Sequence, residues 1–141
     1  MRVLDGIKEW LSQRSSVQMV ADDPQMASEI LLLLRTMFAD GKMASEEINM
    51  FKMFCSTIFH IPEEDVPDVI RFLKEYGYET SGEQAAAMFA DFPENRRREL
   101  LVHLVSMARA DNVVHQQETE MIERVAKTLN FPLEEVHNLL R

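Results

Sequence analysis

The chain has 141 residues, a formal net charge of −9 and 46% hydrophobic residues, which suits one compact domain with its own apolar core and excludes a disordered tail. A chain of this length buries roughly two thirds of its unfolded surface, so neither disulfides nor a structural metal is required to hold it together. An acidic surface repels phosphate backbones, which argues against nucleic acid and leaves cations or basic protein surfaces as the favoured partners.

Only four glycines and five prolines punctuate the sequence, and alternating β-branched runs are absent, so the expectation is helix throughout. Val3, Leu4, Ile7, Trp10 and Leu11 form one stripe of an amphipathic helix over about 2–13. Asp5 breaks the apolar segment an export signal would need, and the run Ile30 to Leu34 is far shorter than the roughly 20 residues that span a bilayer. No export and no membrane span are expected. The single cysteine, Cys55, allows no intrachain disulfide and points to a reducing, cytoplasmic compartment.

The polar stretch Ser15 to Asp23 reads as a loop, with Asp23 capping the next helix and Pro24 at its first position. That helix, over 24–39, is apolar nearly all round and so should be central; Asp40-Gly41 stops it. A helix over 45–59 buries Ile48, Phe51, Phe54, Cys55 and Ile58, and Pro62 opens a fourth that ends at Tyr76-Gly77-Tyr78. Ser81 with Gln84 makes a capping box for a short alanine-rich helix ending near Phe92. Pro93 starts a second central helix running to Ala110, and helices over 115–129 and 132–141 complete the chain.

The two halves superpose in sequence. Residues 39–47 lie over 110–118 at a constant offset of 71, matching Asp40 with Asp111 and Glu47 with Glu118. After a one-residue slip, Ile61-Pro62 meets Phe131-Pro132. One supersecondary unit was used twice, so the expected fold is an all-α bundle of seven to eight helices with an internal pseudo-twofold repeat. It forms a single domain over 1–141: an N-terminal helix and loop (1–20), a first unit (24–76) and a second (81–141). Residues 41–70 and 110–136 each hold six acidic side chains against two basic ones, so the acidity sits in equivalent helix-loop-helix parts.

Each unit places an Asp at the end of one helix and a Glu seven residues on, at the start of the next. Carboxylates on a loop between rigid helices suit hard divalent cations such as calcium, magnesium or manganese. His115, between Asp111 and Glu118, adds a ligand that suits manganese, iron or zinc. The spacing is not that of an EF-hand. The structural alternative is equally concrete: Asp before Gly bonds its own turn, and Glu in a first helical turn is favoured by the macrodipole. Cys55 reads as a small core residue and His103 as a buried histidine with a hydrogen-bond partner. Arg96-Arg97-Arg98 reads as a solvated face or as a match for acidic groups, of a partner or of this chain itself. No triad, P-loop or glycine-rich nucleotide loop is present, so no enzyme is expected.

The paired segments Phe38-Ala39-Asp40-Gly41-Lys42-Met43-Ala44-Ser45-Glu46-Glu47 and Ala108-Arg109-Ala110-Asp111-Asn112-Val113-Val114-His115-Gln116-Gln117-Glu118 resemble the repeated motifs of the tellurite-resistance TerB family, over about residues 24–141. A related helical domain occurs in the DjlA co-chaperones. The resemblance implies a helical bundle in a bacterial cytoplasm that takes part in tellurite resistance or metal-stress response. It further implies bound divalent cations and contacts with other resistance proteins, membrane-associated ones included. Carried over residue by residue, it points to Asp40, Glu47, Asp111 and Glu118. Asn112 in place of Gly41 and Gln117 in place of Glu46 are departures between the two copies. The runner-up expectation is an interaction module whose acidic surface meets a basic or membrane-associated partner.

Overall fold

The computed structural model describes residues 16–39, 41 and 44–141, with the side chains of 78 and 79 left aside. The expected helix over 2–13 and the residues Asp40, Lys42 and Met43 lie outside the described part. Among the described residues every regular element is helical. In chain order these are α1 (16–22), α2 (Pro24–Phe38), α3 (Ser45–Thr57), a 3₁₀ turn (Glu63–Asp65), α4 (Val66–Glu79), α5 (Gly82–Ala87), α6 (Glu94–Ala108), α7 (Gln116–Thr128) and α8 (Leu133–Leu140).

α2 is the hub. Asp23 caps it by accepting from the Met26 N–H at 3.1 Å, with Pro24 at its first turn, and every residue from Ala27 to Leu34 is buried. It is covered by α3, α4, α5, α6 and α7, which leaves its middle turns, Ala27 to Leu34, no face to show to water. α6 is the second central helix and buries Leu100, Leu101, Leu104, Val105, Met107 and Ala108, while Val102 on its outer side stays exposed. α5 opens with the expected capping box: the Gln84 N–H donates to Ser81 Oγ at 3.0 Å and the Ser81 N–H donates to Gln84 Oε1 at 2.8 Å.

The repeat is legible in the backbone. α3 and α7 have the same 13-residue length at the offset of 71. Gly41 (φ 75°) and Asn112 (φ 64°) take the left-handed conformation at matching positions, as do His60 (φ 57°) and Asn130 (φ 64°) beyond the slip. The slip itself is a wider closing turn in the first unit. There the Ile61 N–H reaches back six residues to the Cys55 carbonyl, whereas the Phe131 N–H reaches back five to Ala126, both at 2.8 Å.

Three expectations need correction. Residues 16–22 are helical rather than a loop, because Val17, Met19 and Val20 pack on the core and the Ser16 hydroxyl donates to Asp65 at 2.6 Å. Tyr76-Gly77-Tyr78 does not end α4. Gly77 lies against α2, where a Cβ would come within 3.3 Å of Leu31 Cδ1, so the glycine serves close packing inside the helix. The alanine-rich α5 stops at Ala87, and turns carry the chain on to Phe92.

Candidate functional site

The acidic turns are held by the ends of rigid helices. Glu47 and Glu118 both stand third in their helices, α3 and α7, and are 1% and 0% exposed respectively. From that position a glutamate reaches back toward its own N-cap. In the second unit the His115 N–H donates to Glu118 Oε1 at 3.1 Å. In the turn that leads into α7, Asp111 Oδ1 accepts from the Val113 N–H at 3.1 Å, an Asx turn that precedes the N-cap residue His115.

Of the five expected ligands, Glu47, Asp111, His115 and Glu118 are described, and Asp40 is not. His115 is half-buried at the N-cap of α7, one turn from Glu118. Among the described residues no group of three or more His, Cys, Asp or Glu side chains is arranged to hold a metal ion. Asp111 and Glu118 work, at least, as caps of the second turn and its helix.

A neighbouring pair of acids shows how the two units use the same position. Asp65, at the end of the 3₁₀ turn, is buried and ties down α1 through Ser16. Its counterpart Glu135 accepts from Arg98 Nε at 2.6 Å and ties α8 to α6. One residue earlier in each unit, Glu64 and Glu134 are exposed and make no hydrogen bond or ion pair with the described chain.

The arginine triplet is intramolecular. Arg97 donates to the Phe92 carbonyl at 2.8 Å and the Leu129 carbonyl at 2.6 Å, and Arg98 also pairs with Glu94 at 3.2 Å. Arg96 donates through both terminal nitrogens to Glu29, each at 3.1 Å, and lies over the Phe89 ring. Glu29 is 2% exposed, and His103 Nδ1 stands 3.6 Å from its Oε1, an ion-pair distance longer than a hydrogen bond. Burial pushes the Glu29 carboxyl upward, but His103 and Arg96 together outweigh it and hold the group below its ordinary value. Sequence reasoning singles out Arg96 and His103 but not Glu29, although a lone acid inside the apolar run of α2 is a signal in its own right. Cys55 is buried, and burial pushes its thiol up to about 12, the opposite of an activated nucleophile.

The family model described as Tellurite resistance protein TerB matches residues 26–141. The chain belongs to the TerB family. No curated protein and no solved structure matches it. The TerB match spans both acidic turns, the Glu29–Arg96 pair and all helices from within α2 onward. Among the described residues of this TerB chain, no helix is long and apolar enough to cross a membrane.

Proposed function

We propose that this TerB chain serves tellurite resistance without catalysis, as a binding module that offers the exposed acids Glu64 and Glu134 to a basic surface of another resistance protein, a membrane-associated one included. The observation that carries the reading is the division of labour among the acids. Asp111 and Glu118 are engaged by their own turn, whereas Glu64 and Glu134, at matching positions of the two units, are exposed and unpaired among the described residues. Exposed charges of one sign steer a partner of the other and set its orientation. The test is complementation in a host whose tellurite resistance depends on this chain. A Glu64→Lys/Glu134→Lys double variant with unchanged helicity should lose resistance; full resistance would sink the reading.

A second reading is a divalent cation, manganese, calcium, magnesium or zinc, held by Asp40 with Glu47 and by Asp111 with Glu118, without His115, which is not gathered with them into a three-ligand set. The burial of Glu47 and Glu118 at equivalent helix starts favours it, since carboxylates gathered out of water bind hard cations well. Calorimetric titration of chelator-treated protein separates the two. Heat with one ion that vanishes in Asp40→Asn/Asp111→Asn would establish the cation site, and no heat with any ion would leave the carboxylates as caps.

A further inference from the structure

A cleft of about 400 Å³ lies between α2, α5 and α7, with Arg35, Arg124, Ser81, Glu83, Met121 and Val125 in its wall. It is remote in kind from the acidic turns: two guanidiniums face one carboxylate, on a chain whose net charge is −9. Arg35 Nη2 donates to the Gly77 carbonyl at 2.9 Å and to the Thr80 carbonyl at 2.7 Å. Those two bonds fix the guanidinium plane and leave Nε and Nη1 without an acceptor among the described residues. Position 82 has no side chain to cover them; a Cβ on Gly82 would stand 3.4 Å from Arg35 Nη1.

Arg124 is exposed and donates to no group of the described chain. The acids nearest on its helix are engaged elsewhere, Glu120 by Gln116 at 3.0 Å and Glu123 by His137 at 3.5 Å. In the first unit the matching position holds Met53, so the repeat does not require a cation here. Ser81 Oγ accepts from the Gln84 N–H, which leaves its own hydrogen free to donate. Met121 and Val125 add an apolar wall.

We infer that this cleft binds a small oxyanion, which Arg35 and Arg124 neutralise and Ser81 helps to orient, with the ligand's less polar side against Met121 and Val125. Planar guanidinium forks present paired N–H donors that match the geometry of an oxyanion. The inference is independent of the proposed docking role, because it concerns another surface and the opposite charge.

The experiment follows the arginine Nε–Hε signals by NMR at constant ionic strength, titrating the full chain with inorganic phosphate, tellurite and phenyl phosphate. Saturable shifts of both Arg35 and Arg124 are expected with at least one of them. A preference for phenyl phosphate would identify a phosphoryl group on an organic body, and a preference for tellurite or phosphate a free inorganic oxyanion. Arg124→Gln, which breaks no side-chain hydrogen bond or ion pair among the described residues, should weaken binding at least about tenfold, the loss of one charge-assisted hydrogen bond. Lys127→Gln, the same change of charge on the same helix away from the cleft, should leave binding unchanged. Absence of saturation with all three anions, or equal weakening by the two variants, would overturn the inference.

Discussion

Replacing Arg96 with Met keeps an unbranched stem beside Phe89 and removes the charge that faces Glu29. Breaking a buried pair by deleting one partner costs about 3–5 kcal/mol, because the other charge stays buried without compensation. Arg96 is 33% exposed, so water already screens part of the interaction, and the expected cost falls to about 2–3 kcal/mol at neutral pH. For a chain of this size that is a drop of about 6–12 °C in Tm. The pH dependence gives the sharper test. In the wild type the Glu29 carboxyl sits below its ordinary value of 4.5, so its contribution is present above that pH and is lost as pH falls through the folded value. In Arg96→Met the upward push of burial remains while one opposing charge is gone, so Glu29 takes up a proton more readily. The stability gap between wild type and variant, read by urea melts, should therefore shrink as pH is lowered from neutral toward about 4. Glu29→Gln/Arg96→Met, which removes both charges, should recover most of the loss. A gap below about 1 kcal/mol at neutral pH, the value of an exposed pair, or a gap that does not change with pH, would refute the reasoning.

Two further outcomes test the local structure. Cys55, buried with its thiol pushed up to about 12, should react with a disulfide reagent only as fast as the chain opens, and prompt labelling of the native protein would contradict its placement. Asn112→Ala should cost about 1 kcal/mol in a denaturant melt because φ is 64° there, while Asn112→Gly should be neutral or mildly stabilising; equal effects would remove the left-handed turn from the account.

Much of the fold could be read from local pattern. Asp23-Pro24, the Ser81 and Gln84 box, and the offset of 71 between the acidic turns each act within a few residues or within one repeated unit, and each recurs in the structure. The failures share a cause. The polar stretch containing α1 hides Val17 and Val20, whose helical spacing matters only once a core exists to receive them. Gly77 looks like a breaker until Leu31 is placed beside it, 46 positions earlier in sequence. Glu29 and Arg96 are 67 residues apart, and the oxyanion cleft draws on three helices, so no window along the chain brings either together.

The burial of α2 also means that neither unit closes its own core. Leu31, Leu32 and Leu33 are hidden by helices from both units, with α6 and α7 contributed by the second. A lone helix-loop-helix unit with this hub would expose a continuous oily ridge and precipitate or pair with itself. With both units in one chain, the cover of the hub is intramolecular, so its burial does not depend on concentration as that of a two-chain assembly would.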